Sequence, residues 1–267
     1  MSKKVVTFGV IMDFQPLSNN KIKEFAGLRF KKNRDRYSLF VVEGKKGFDD
    51  IVDSFSLEYL ICTETVLNQN PDYRIFADKI LLDSDNKKGI KQISSLTTPT
   101  DLIAVFKIPE YEEVSCKLKE NKIYLLLDDI QDPGNLGTII RTCDWFGVYE
   151  IYASLNTVDV YNPKVVQSTM GSLSRVKVIY TDLENLVTKN KAIPLFGTLL
   201  DGKPVGKFHG IKGGMILMGN EGNGVSEKLK SLVTDAITIP PVSKHSHPDS
   251  LNVAIATAVV LSQIILP

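Results

Sequence analysis

The chain has little cysteine, little net charge and no long apolar run. Its three cysteines, Cys62, Cys116 and Cys143, are widely separated and form no C-x-x-C pair. Such an odd, dispersed set supports neither a disulfide framework nor a zinc ribbon, and reads as buried thiols. The longest apolar runs, such as "AIATAVVL" at 254–261, fall short of a bilayer span, and the start, "MSKKVVTFGVIMDFQPLSNNK", has too short an apolar stretch for a signal peptide. A cytoplasmic location and no membrane partner are therefore expected. Internal repeats and low-complexity segments are also lacking. What is present is ordinary globular material: 267 residues, 43% hydrophobic and 24% charged, enough for one large or two modest domains with their own cores.

The net charge of +1 does not by itself suggest a nucleic-acid partner, but the charge is unevenly spread. Residues 19–36, "NNKIKEFAGLRFKKNRDR", hold Lys21, Lys23, Arg29, Lys31, Lys32, Arg34 and Arg36 against only Glu24 and Asp35. A helix with that excess can neutralise several phosphates, or it can be a solvated face. From about 20 to 107 this helix, the runs "SLFVVEG", "LEYLICTE", "KILLD" and "LIAVFKIP", and the helix-like "KKGFDDIVDSF" predict a small α/β unit spanning 1–108. The charged stretch 109–122 reads as a linker. From 123 to 267, "IYLLLD", "YEIYAS", "RVKVIY", "PLFGTLL", "MILMG" and "AITIP" alternate with helical patterns. Short runs apolar on successive positions suit strands buried on both faces, so a parallel sheet wrapped by helices is expected. Ligands of such sheets collect at the carboxyl ends of the strands.

Three loops carry unusual chemistry. In "DDIQDPGNLGTIIRTCDWFG", 128–147, an apolar strand ends in two aspartates, Pro133 and Gly134 turn the chain, and Asn135 is placed to cap a helix ended by Gly147. Ile139, Ile140, Cys143 and Phe146 form its core stripe, leaving Arg141 outside it, either aimed at the strand ends or paired with Asp144 or Asp128. In "MILMGNEGNGVSEKL", 215–229, Glu221 sits inside a glycine-rich turn before a helix near Ser226. The order G-x-x-G-x-G is not the dinucleotide fingerprint, and no phosphate-binding lysine follows, which ranks a nucleotide hydrolase last. In "IPPVSKHSHPDSLNVAIATAVVLSQIIL", 239–266, a helix starting at Pro248 with Asp249 or Ser250 is apolar on nearly every side, and Asn252 stands out as a polar group in its first turn. His245, His247 and Asp249 lie in a polar loop without a further ligand cluster, so no metal site is expected.

Together the segments "DPGNLGTIIRT", "LMGNEGNGVS" and "IPPVSKHSHPDSLNVAIATAVVL", in that order, resemble the signature motifs of the SpoU branch of the SPOUT superfamily, the ribose 2′-O RNA methyltransferases, over about 121–267. Through "IKEFAGLRFKKNRDRYSLFVVEGKKGFDD" the first part resembles their substrate-binding domain, an α/β module similar to kink-turn-binding ribosomal proteins. The resemblance implies an α/β fold with a deep trefoil knot in the C-terminal parallel-sheet domain, a small N-terminal α/β RNA-binding domain, and a homodimer with the site near its interface. It implies S-adenosylmethionine as cofactor, held near Gly197, Thr198, Gly219, Ile239, Leu251 and Asn252. It also implies a catalytic set of Asn135, Arg141, Glu221 and Asn252, and an RNA substrate, ribosomal in preference to transfer RNA. A non-catalytic RNA-binding or ribosome-assembly protein of the same fold is the alternative. This chain departs from the usual motifs in a longer, glycine-free 240–249 loop, in Ala254, and in "VVQSTMGS", which lacks an arginine.

Overall fold

The apolar runs form strands, and the strands sort into two sheets. The computed structural model describes residues 3–7, 10–84, 86–110, 117–243 and 249–266. The chain divides into two compact units, one of Met1–Glu110 with Tyr161–Ser174, the other of Tyr111–Val160 with Arg175–Pro267. The segment Tyr161–Ser174 lies within the stretch read as one domain from 123 onward, so the observed division is not a single cut. Only tertiary contact reveals this, because the segment's local pattern matches its neighbours.

In the first unit β1 (Lys3–Thr7) and β2 (Val10–Pro16) pair antiparallel. There follow α1 (Asn19–Gly27), α2 (Lys31–Tyr37), β3 (Leu39–Glu43), α3 (Lys45–Ile51), β4 (Leu57–Cys62), α4 (Glu64–Gln69), β5 (Ile80–Leu82), α5 (Lys88–Ile93) and β6 (Leu102–Lys107). The sheet order β1-β2-β5-β4-β6-β3 mixes parallel and antiparallel pairs. The basic stretch expected as one helix is two, because Leu28 turns into the core and Arg34 folds back on the break. Arg34 Nη1 donates to the carbonyls of Leu28 at 2.7 Å and Arg29 at 3.0 Å, acceptors left open where α1 ends. With 2% exposure Arg34 is a structural group, which corrects its placement on an RNA-binding surface. Tyr161 packs its ring 4.7 Å from that of Phe40 on β3, and Val165 and Val166 are buried in the same unit.

The second unit alternates strand and helix: β7 (Ile123–Leu127), α6 (Pro133–Trp145), β8 (Glu150–Ala153), then, beyond α7 (Pro163–Ser168) of the first unit, β9 (Lys177–Tyr180), α8 (Leu183–Lys189), β10 (Leu195–Pro204), β11 (Gly214–Met218), α9 (Glu227–Lys230), β12 (Asp235–Thr238) and α10 (Val253–Ile265). All six expected strands are present, all parallel, in the order β12-β10-β11-β7-β8-β9. On one face of β7 the ring of Tyr124 packs edge-on to that of Tyr152, while Leu126 and Leu217 join the same buried cluster. Leu125 and Leu127 are buried on the opposite face, so the sheet is covered on both sides. Leu118 belongs to this core, and its amide donates to Asn190 Oδ1 at 2.9 Å, although the sequence places it in a linker. Burial alone pushes the Cys62 thiol up to about 12, and Cys143 is raised by burial first and by neighbouring Asp144 second. Cys116 lies outside the described residues.

Candidate active site

The carboxyl ends of β7 and β11 are neighbours in the sheet, with Leu127 in register with Met218, so the loops that follow them meet. The helix after β7 is capped differently from the sequence expectation. Asp132, not Asn135, is the N-cap: its side chain accepts from Asn135 N at 2.8 Å, with Pro133 in the first turn. Both residue types cap well, and the one preceding Pro133 takes the role because proline is itself favoured at the first helical position. Asn135 is thereby released, in the third helical position, for a different task.

That task is a relay of amides across three distant segments. Asn135 Nδ2 donates to Glu221 Oε1 at 3.0 Å, and Asn252 Nδ2 donates to Asn135 Oδ1 at 2.9 Å. Asn252 Oδ1 in turn accepts from Ala254 N and Ile255 N at 3.0 and 3.3 Å, which makes Asn252 the N-cap of α10. The helix therefore begins at Val253, later than the Pro248–Ser250 start expected from the sequence. The direction of the relay is fixed by chemistry. An ionised carboxylate at one end only accepts and helix amides at the other only donate, so each asparagine has one workable orientation.

Glu221 also accepts from the amides of Gln131 and Asp132, each at 3.3 Å. Partial desolvation pushes its pKa up. The hydrogen bonds from Asn135 and from the amides of Glu221, Gln131 and Asp132 outweigh that, and hold the carboxyl below the usual carboxylate range. The open amino end of α6 adds positive potential at the same place. Glu221 is thus a fixed anion that positions its donors.

Arg141 is not part of the relay. It lies on the exposed stripe of α6 with Thr138 and Trp145, about 9 Å of helix rise beyond Asn135. It makes no hydrogen bond or ion pair with a described residue. The pairings considered for it are taken: Asp144 is held by Arg175, with Nη2 at 2.7 Å, and Asp128 accepts from Ser226 N at 2.8 Å. Two further residues of the site escape a reading of the sequence. Asp129 and Asn220 stitch the two loops together, and the one signal for them is the pair of aspartates closing an apolar strand.

Gly219 and Ile239 fall just beyond the carboxyl ends of β11 and β12, and Thr198 stands on the adjacent β10 where its pairing with β12 is interrupted by a bulge. Leu251 and Asn252 precede α10, which packs against α6. The glycines have local reasons to lack a side chain. A Cβ on Gly219 would come within 2.3 Å of the Gly224–Val225 backbone, and one on Gly197 within 2.5 Å of Val233. Thr198 Oγ1 is engaged with the Leu217 carbonyl at 2.9 Å. The donor set fits an adenosyl group: loop backbone, the exposed apolar Leu251 and half-buried Ile239, with no charged side chain among the expected contacts. Among the described residues no group of three His, Cys, Asp or Glu is placed to hold a metal, and His245 and His247 lie outside them. In the first unit Lys23, Arg29, Lys31, Lys32 and Arg36 are exposed; Lys31 pairs with Asp35 at 2.8 Å, and Lys21 is half-buried over the Tyr59 ring.

Residues 122–262 match the SpoU rRNA Methylase family, and residues 19–104 match the MRM3-like substrate binding domain. The 23S rRNA (guanosine(2553)-2′-O)-methyltransferase RlmP of Bacillus subtilis is 30% identical over 248 residues, 91% of this chain and 95% of that protein. A solved TrmH-family protein from Porphyromonas gingivalis is similar with TM-score 0.80 and 34% identity, over 93% of this chain and 98% of that one. The AdoMet-bound rRNA methyltransferase from Sinorhizobium meliloti is similar with TM-score 0.81 and 27% identity, over 94% of this chain and 95% of that one. The family's cofactor is S-adenosylmethionine. With its second unit matched along most of its length and a relative aligned over most of both chains, the chain belongs to the SpoU rRNA methylase family, the S-adenosylmethionine-dependent RNA methyltransferases.

Proposed function

We propose that this chain methylates a ribose 2′-hydroxyl in structured ribosomal RNA, and that Asn135, Arg141, Glu221 and Asn252 form its catalytic set. The observation that carries the reading is the relay Glu221–Asn135–Asn252, which draws three of the four expected residues together from segments far apart in sequence. S-adenosylmethionine supplies a methyl group on an electrophilic sulfonium, and Gly197, Thr198, Gly219, Ile239, Leu251 and Asn252 are the residues that would hold it. The new oxygen–carbon bond forms as the hydroxyl proton leaves, so alignment dominates the rate. A guanidinium is permanently protonated and a poor base. Arg141 therefore acts through an RNA phosphate, either bridging to a phosphate that takes the proton or fixing it while water or another group accepts. Its lack of a partner among the described residues suits that role.

The exposed cations Lys23, Arg29, Lys31, Lys32 and Arg36, with Lys21 beside them, supply phosphate contacts for a folded RNA element, which proteins read by shape and backbone. The working form is a cytoplasmic homodimer. Ile255 on α10 is 57% exposed and Trp145 on α6, one turn beyond Arg141, is 85% exposed, apolar side chains that a second copy would cover. No helix among the described residues is long and apolar enough to cross a membrane. The chain path of the second unit is taken to be the family's deep trefoil knot. Mapping 2′-O-methyl marks in ribosomal and transfer RNA, with and without the gene, tests the reading. Loss of one ribosomal mark is expected; a lost transfer-RNA mark would move the substrate, and RNA binding with no lost mark and no S-adenosylmethionine affinity would replace the enzyme by an assembly factor.

A further inference from the structure

The two aspartates that close β7 are not explained by the helix cap or by Arg141. Asp129 adopts the left-handed region at φ 60, a conformation that costs a side-chain-bearing residue energy unless its surroundings hold it. Here they do. Its amide donates to Ser154 Oγ at 2.9 Å, and Asn220 Nδ2 donates both to its carbonyl at 2.7 Å and to its carboxylate at 3.2 Å. The other end of the same amide, Asn220 Oδ1, accepts from Gly222 N and Asn223 N, both at 2.9 Å. The backbones of Asn220 and Gly224 exchange hydrogen bonds at 2.9 and 3.0 Å, closing the turn into which Glu221 is built. The far side of the turn is tied down by Asp128, which accepts from Ser226 N.

We infer that Asn220, braced by Asp129, is a positioning residue for methyl transfer: it sets the turn that presents Glu221 to Asn135, and through Asn135 orients Asn252. The inference rests on the proposed function. Its chemistry is directional, because the amide donates through its NH2 toward Asp129 while its oxygen accepts from the turn, which an isosteric carboxylate cannot do. Asn220→Asp keeps the shape and the acceptor for Gly222 and Asn223 but sets a carboxylate against the Asp129 carbonyl and carboxylate.

The test is steady-state kinetics on ribosomal RNA, with S-adenosylmethionine affinity by calorimetry and melting temperature beside it. For Asn220→Asp, kcat is expected to fall about 100-fold, the scale of a misplaced reacting geometry, with KM for RNA and cofactor affinity within about threefold and the fold intact. Adding Asp129→Asn removes the carboxylate repulsion and is expected to restore part of kcat; the fall in kcat at unchanged melting temperature, KM and cofactor affinity is what a merely structural role would not give. Wild-type kcat in Asn220→Asp, or a loss that Asp129→Asn leaves untouched, would overturn the inference. An inactive wild-type chain would instead overturn the proposed function.

Discussion

Glu221 is an anion whose neighbours are all donors, and this has a consequence for pH. Its pKa in the folded chain is lowered, so the stability it contributes is present above the ordinary carboxylate range and is lost as pH falls through the lowered value. Glu221→Gln removes that dependence and turns an NH2 toward donors. Denaturation of both proteins from neutral to acid pH should show the wild type more stable at neutrality and the gap closing as pH falls from the usual carboxylate range through the lowered value. A gap that closes near neutrality would contradict the assignment of an ionised Glu221. Arg141 belongs to the opposite case. It has no partner among the described residues, so Arg141→Lys should leave the melting temperature unchanged within about 0.5 kcal/mol of stability, as surface substitutions do. A larger loss would mean that the side chain serves the fold.

Among the elements, α6 carries the most of the site, and its cap sits beside the carboxylate. Asp132 caps the helix through Asn135 N and offers its own amide to Glu221. Asp132→Ala should cost about 1 kcal/mol in urea denaturation, the usual value of an N-cap side chain. No measurable cost would show that Asn135 had taken over the cap. The six strands of the second unit were legible, because burial on both faces writes continuous apolar runs, and so was the apolar last helix, although one side of it stays exposed at Ile255. The caps were not, because Asp132 and Asn135, or Asp249 and Asn252, are equally good candidates until distant partners claim one of each pair. Arg34 could not be read as buried, since its carbonyl partners follow from a helix break that no residue pattern marks. The pairing of Asp129 with Asn220 was not legible because their bond joins residues far apart in sequence, although two aspartates closing an apolar strand mark the place.

At the scale of the whole molecule the site and the proposed association surface share two helices. Asn135 and Asn252 begin the relay on α6 and α10, while Trp145 and Ile255 leave the same helices exposed and apolar. Ile255→Glu should convert a dimer to a monomer in sedimentation velocity while keeping helix content. A wild type that sediments as a monomer would remove the dimer from the account. Residues Tyr161–Ser174 pack with the first unit although they follow α6 and β8 in the chain, an arrangement no local pattern announces.

The central claim, that a directed set of amides around one carboxylate, with a guanidinium farther along the same helix, aligns a ribose hydroxyl with a methyl donor, is tested most directly by single-turnover transfer of radiolabelled methyl to ribosomal RNA. The wild-type chain should place label on a ribose 2′-oxygen, leaving an alkali-resistant dinucleotide. Glu221→Gln and Arg141→Lys should each slow the step by about tenfold or more with RNA still bound. Label on a base, or variants as fast as the wild type, would contradict it.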